Sequence, residues 1–73
     1  MSPRWSNLNA NDMVRKLIAR GFEKTDQKGS HARYDRSDGA FADVPMHKGR
    51  NLSRGVIRNI MKTARLTKEE LEK

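Results

Sequence analysis

The chain has 73 residues, of which 34% are hydrophobic, so it can bury one small core and two full domains are excluded. Its 16 Lys and Arg against 9 Asp and Glu give a net charge of +7, which indicates a polyanionic partner, either nucleic acid or an acidic protein. The absence of cysteine excludes disulfides, zinc fingers and thiol catalysis and fits a reducing compartment, so we expect a cytoplasmic protein. No stretch has the apolar length of a signal peptide or a membrane span, and we expect no membrane partner.

The polarity pattern divides the chain into a polar N-terminal lead, residues 1–11, and one domain, residues 12–73. Apolar residues from position 13 onward recur at the spacing of one helix face, which predicts a helix over residues 12–20. Asn11 is the expected N-cap and Gly21 the expected stop. The apolar residues that predict this helix are Met13, Val14, Leu17 and Ile18.

Three short runs after this helix predict an antiparallel meander: Phe22 to Gln27, Ser30 to Asp35 and Ala40 to Val44. The runs are separated by the turn signals Lys28-Gly29 and Asp38-Gly39. Because strand side chains alternate, Ala32 and Tyr34 should face the helices. On the middle strand, the residues expected on the open face are His31, Arg33 and Asp35, and on the third strand we expect Phe41 and Asp43 there.

A second helix is predicted after Ser53, its expected N-cap, with Leu52 and Ile57 forming a hydrophobic staple. Thr67 and Glu70 form the pattern of a capping box, which predicts a short C-terminal helix. The sequence therefore predicts an α+β fold in the order α-β-β-β-α plus a short C-terminal helix. In this fold the helices cover one face of a three-stranded antiparallel sheet.

Positive charge is concentrated in the loop and helix that follow the third strand. The segment from Val44 to Arg65 contains six basic residues and no acidic one. Such a row is either a phosphate-binding surface or an ordinary solvated helix face, and charge alone leaves both open. The candidate RNA-binding or phosphate-binding residues in this region are His47, Lys48, Arg50, Arg54 and Arg58.

His31 is the residue best placed for acid–base chemistry, because it directly follows the Gly29-Ser30 turn on the predicted open face. RNA cleavage needs a base for the 2′-hydroxyl, an acid for the leaving 5′-oxygen and positive charge for the phosphate. Lys28 and Arg33 are candidates for that charge. The spacing alone favours an ordinary strand histidine, since a lone His is usually structural. Two His without Cys are a poor metal signature, so we expect no metal or other cofactor.

Several motifs, in their order and spacing, resemble the HicA family of bacterial toxins, small mRNA interferases of toxin–antitoxin modules. The motifs are a helix ending in Gly21-Phe22, the turn Gly29-Ser30-His31, and the strand exit Val44-Pro45-Met46-His47. They are followed by the helix start Leu52-Ser53-Arg54-Gly55. The similarity extends from about Met13 to Leu66.

This resemblance implies a fold like that of double-stranded RNA-binding domains. It also implies an endoribonuclease that cleaves mRNA with His31 as its catalytic residue and is neutralised by an acidic HicB-type antitoxin. Gly29 and Ser30 would then shape the turn that holds His31. His47 would form an acid–base pair with His31, bind phosphate or support the loop before the second helix.

Two alternatives differ in class from such an enzyme. The first is a non-catalytic module of the double-stranded RNA-binding type, which grips an A-form duplex through the same basic surface. The second is an interaction subunit that only docks an acidic protein. The first alternative predicts salt-sensitive RNA binding without cleavage. Retained affinity for RNA in the absence of the partner would count against the second.

Overall fold

A computed structural model of the protein describes residues 8–47 and 50–72, with the backbone alone at residue 72. The element order confirms the predicted α+β fold. The elements are α1 (Ala10–Ala19), β1 (Glu23–Lys28), β2 (His31–Asp35), β3 (Phe41–Pro45), α2 (Arg54–Ala64) and α3 (Lys68–Glu72). Lys48 and the first seven residues of the predicted lead lie outside the described residues.

The three strands form one antiparallel sheet in the order β1-β2-β3. Ala32 lies opposite Val44 and Tyr34 lies opposite Ala42, and all four are buried, as the alternation predicted. Helices α1 and α2 both pack against β3, whereas every residue of β1 is exposed. The core therefore lies beneath β2 and β3, and the other face of these two strands is left open.

Helix α1 begins two residues earlier than predicted, because Asn9 rather than Asn11 is its N-cap. The Asn9 side chain accepts a 2.8 Å hydrogen bond from the Asp12 backbone, and the Asp12 carboxylate accepts one from the Asn9 backbone. This reciprocal capping box satisfies two amide groups that have no partner inside the helix. Leu8 and Ala10 are also buried, so the end of the predicted lead belongs to the packed domain.

All three strands start one residue later than predicted, and for β1 the C-terminus of α1 gives the reason. Gly21 has a φ of 88° and Phe22 donates a hydrogen bond to the Leu17 carbonyl, so Phe22 completes the helix cap and is buried there. β1 consequently starts at Glu23, and its two-residue loop to β2 is Gly29-Ser30. Ile18, predicted in the buried stripe of α1, is 56% exposed because it lies at the edge of that stripe.

The C-terminal part follows the predicted capping pattern. The Ser53 hydroxyl accepts a 3.2 Å hydrogen bond from the Val56 amide, and Leu52 and Ile57 are both buried. Thr67 and Glu70 exchange hydrogen bonds of 2.8 and 3.2 Å between side chains and backbone amides, which confirms the second capping box. Across residues 8–47 and 50–72, no helix combines the length and the apolar character that crossing a membrane requires.

Candidate functional site

His31 is the first residue of β2, and its side chain is exposed on the open face of the sheet. It lies opposite Lys28 of β1 and Pro45 of β3. We call this row of three residues the histidine end of the sheet. Within residues 8–47 and 50–72 the imidazole has no hydrogen bond or ion pair, so both ring nitrogens are available for proton transfer.

The turn before His31 depends on backbone conformation. Gly29 has a φ of 56°, in the left-handed region that favours glycine, and it occupies the first position of a two-residue hairpin loop. The Ser30 carbonyl accepts a hydrogen bond from the Met46 amide. Gly29 therefore shapes the turn, and Ser30 ties it to the segment that carries His47.

The same face has a different chemistry one row further along the strands. There Arg33 of β2 lies opposite Asp26 and Asp43, and Asp35 and Phe41 follow in the next row. We call these five residues the carboxylate end. Two residues along a strand span about 6.6 Å, so the carboxylate end begins close to His31.

Arg33 is engaged by its neighbours at the carboxylate end. Its Nε atom is 3.2 Å from Oδ2 of Asp35, one terminal nitrogen is 3.8 Å from Oδ2 of Asp43, and the guanidinium carbon is 4.2 Å from the centre of the Phe41 ring. The hydrogen bond to Asp35 raises the pKa of Arg33. A hydrogen bond from the Thr25 hydroxyl, followed by that from Arg33, lowers the pKa of Asp35. Through these contacts Arg33 links β2 to β3 on the open face. That Arg33 also contacts RNA stays a prediction.

An open cleft of about 330 Å³ lies between the histidine end and the start of α2. We call it the α2 cleft. Most of the surface that it exposes is apolar. Its lining residues are His31, Pro45, His47, Arg50, Asn51, Leu52, Ser53 and Val56.

A smaller groove, of about 190 Å³, lies on the other side of His31 and is lined by Lys28 and three residues of the carboxylate end. His31 therefore lies between an apolar cleft with basic neighbours and a groove lined by both carboxylates and cations. No group of three or more His, Asp or Glu side chains that could hold a metal ion occurs in the described part of the chain.

Backbone contacts position the loop that enters α2. The Leu52 amide donates a 2.7 Å hydrogen bond to the Leu8 carbonyl, and Asn51 pairs with Asn9 in an isolated β-bridge. The residues just before α1 thus brace one wall of the α2 cleft. This role of Asn9 and Asn51 was not predicted, because an isolated bridge has no periodic sequence signal.

The basic surface is continuous with the α2 cleft. Arg50, Arg54, Arg58 and Lys62 are exposed, and none of them has an ion-pair partner among residues 8–47 and 50–72. Arg65 differs, because its guanidinium lies 3.9 Å from Asp38 in the β2–β3 turn. The first turn of α2 contains no acidic residue. The start of the helix therefore combines several cations with the positive end of the helix dipole.

The structure brings most of the predicted site residues into one region. His31 and His47 line the same cleft together with Arg50, and Arg54 follows directly after the lining residue Ser53. The sequence did not predict that Asn51, Leu52 and Val56 line this cleft, because Leu52 and Val56 belong to patterns that also predict core packing. Pro45 stood in the strand-exit motif without an assigned role.

Comparison with known proteins identifies the family of the chain. A family model described as the HicA toxin of bacterial toxin–antitoxin modules matches residues 10–66. The chain belongs to the HicA toxin family. The matched range covers every helix and strand from α1 to α2, including the turn that carries His31. No curated protein matches the chain.

Membership of the HicA family agrees with the resemblance found in the sequence and makes an antitoxin partner part of the protein's biology. Family membership also indicates what the surface of such a protein has to do. A toxin of this kind needs one surface that acts on its target and an antitoxin that prevents the action.

Proposed function

We propose that this HicA protein is an endoribonuclease that cleaves mRNA by proton transfer at His31, without a metal or other cofactor. The observation that carries the proposal is the position of His31. Its exposed imidazole has no partner within the described ranges and stands at the mouth of a cleft that also holds His47 and Arg50.

The reaction requires only the groups of this surface and water. The 2′-oxygen attacks the adjacent phosphorus, the bond from phosphorus to the 5′-oxygen breaks, and a 2′,3′-cyclic phosphate and a 5′-hydroxyl result. A base takes the proton of the 2′-hydroxyl and an acid protonates the leaving oxygen. We assign one of these transfers to His31, and water can carry the other.

Five other predicted residues act by binding. We assign His47 and Arg50 to the phosphate at the cleft, Lys28 to the phosphate beside the histidine end, and Arg54 and Arg58 to the strand that continues along α2. Positive charge at the reacting phosphate stabilises the charge that develops in the transition state. The same cations would attract an acidic HicB-type antitoxin, which we propose inhibits the enzyme by covering them. The compartment of this reaction would be the cytoplasm.

The test uses the purified protein and its His31→Ala variant with a labelled single-stranded RNA in the presence of a chelator. We expect the unmodified protein to cleave and the variant to lose about 10²- to 10⁴-fold in kcat/KM, the range for removal of a general acid or base. Because His31 is exposed, the variant should keep its circular dichroism spectrum and melting temperature.

A second variant separates binding from proton transfer. His47→Ala should raise KM while changing kcat little, which is the signature of lost uniform binding. Cleavage that persists in His31→Ala would refute the assignment of His31. RNA binding by all three proteins without any cleavage would leave the non-catalytic double-stranded RNA-binding module.

A further inference from the structure

We propose that the α2 cleft binds one unpaired nucleobase of the RNA, the base next to the phosphate that His31 reaches. This inference rests on the proposed function, because it places the base relative to the cleaved bond. It assigns a base-binding role to Pro45, Leu52 and Val56, in addition to the phosphate-binding role of the surrounding cations.

The surface of the cleft suits a flat heterocycle better than a phosphate. Most of its exposed lining is apolar, with contributions from Pro45, Leu52 and Val56. An ionised phosphate loses hydration against such a surface, whereas the face of a nucleobase gains contact with it. The volume of about 330 Å³ is at the small end of small-molecule sites, as a single base requires.

The polar groups of the cleft lie where a bound base would need them. The rings of His31 and His47 belong to its lining, and proteins commonly stack splayed-out RNA bases on such rings. The exposed Asn51 also belongs to the lining, and its amide offers both a donor and an acceptor to a base edge.

Charge complementarity gives the direction of the strand. Beyond the α2 cleft lie the exposed cations Arg54 and Arg58, whereas the lining of the groove on the other side of His31 balances the cations Lys28 and Arg33 with the carboxylates Asp26 and Asp43. Phosphates are attracted to the first side, whereas the balanced charges of the second side give no net attraction beyond the one phosphate that Lys28 can reach. A strand that places a phosphate at His31 therefore continues across the α2 cleft, and the adjoining base can turn into it.

The alternative occupant of the cleft is a phosphate alone, and one substitution distinguishes the two. Val56→Lys adds a cation to the lining and fills space there. If the cleft holds only phosphate, this variant should bind RNA more tightly. If it holds a base, the variant should bind more weakly despite the added charge.

The matched control is Asn59→Lys, which adds the same charge on an exposed position of the same helix, outside the cleft. Binding is measured with a single-stranded RNA that carries a 2′-deoxy group at the cleavage position, so that no cleavage occurs. We expect Asn59→Lys to strengthen binding slightly and Val56→Lys to weaken it about 5- to 100-fold, the range for loss of one stacked base. Equal strengthening by both variants would overturn the inference.

A measurement on the unmodified protein avoids any folding defect of Val56→Lys. Abasic nucleotides are introduced one at a time along the whole of a short single-stranded RNA, and we expect one of them alone to reduce binding by the same 5- to 100-fold. Uniform sensitivity at every position would overturn the inference.

This binding assay is independent of the proposed function. If RNA is never cleaved but one abasic position weakens binding, the base site stands and the nuclease proposal fails. If RNA is cleaved by a His31-dependent reaction and no abasic position matters, the nuclease proposal stands and the base site fails.

Discussion

The histidine end and the carboxylate end occupy the same face of the same strands, yet their side chains are organised in opposite ways. At the carboxylate end, Arg33 contacts Asp35, Asp43 and the ring of Phe41, and Asp35 also accepts a hydrogen bond from Thr25. At the histidine end, the imidazole of His31 has no such contacts anywhere in residues 8–47 and 50–72.

This difference indicates where the protein uses its surface. Groups that are already paired stabilise the sheet and have little left to offer a ligand, because a ligand would first have to displace their partners. Groups without partners contribute less to folding and can bind or react. The two ends therefore divide stability and function within about one strand length.

The strongest way to break this comparison is to exchange the two side chains in the double variant His31→Arg with Arg33→His. The composition, charge and strand stay the same, but the imidazole moves among carboxylates and away from the α2 cleft. We expect kcat/KM for RNA cleavage to fall about 10²- to 10⁴-fold, as for removal of an acid–base group. Cleavage near the unmodified rate would show that position within the face does not matter.

The second test compares cations with and without partners. Replacing Arg54 and Arg58 together by Ala should lower the slope of log affinity against log salt by about 1.4 for single-stranded RNA, since each phosphate contact contributes about 0.7. Arg33→Ala should leave the slope almost unchanged and lower the melting temperature instead. Equal slopes for the two variants would remove the distinction between the two groups of cations.

The smallest expected effect is on the pH dependence of stability, through Asp38 in the turn that follows β2. Hydrogen bonds from Arg36 and from the Ala40 amide lower the pKa of Asp38 from 3.8 to about 2. Because the pKa is lower in the folded state, the carboxylate stabilises the fold above about pH 4, and this contribution disappears as the pH falls towards 2. Asp38→Asn should therefore lower the melting temperature at pH 6 and differ less from the unmodified protein at pH 2. A difference that is constant from pH 6 to pH 2 would contradict this.

The sequence predicted the parts of the fold that depend on local patterns. Alternation placed Ala32 and Tyr34 in the core, and the caps at Ser53 and Thr67 were identified because they satisfy helix amides within four residues. The start of α1 was missed because Asn9 and Asn11 are both good caps. Only the fold decides between them, since Leu8 and Ala10 must be buried.

The site, like the fold, was predicted only where it depends on local sequence patterns. The turn at Gly29 and the open-face position of His31 follow from residues next to each other in the chain. The ion pair between Arg33 and Asp43 depends on strand register, and the α2 cleft depends on how the loop at Asn51 returns to Asn9. Sequence periodicity does not specify such long-range contacts.

The hydrogen bond from the Met46 amide to the Ser30 carbonyl has a consequence for mutational tolerance. It links the residue before His47 to the residue before His31 through main-chain atoms, which are present whatever side chains stand there. Most substitutions at these two positions leave the link in place, and proline at position 46 removes it because proline has no amide hydrogen. The relative placement of the two histidines is therefore insensitive to most side-chain changes at positions 30 and 46.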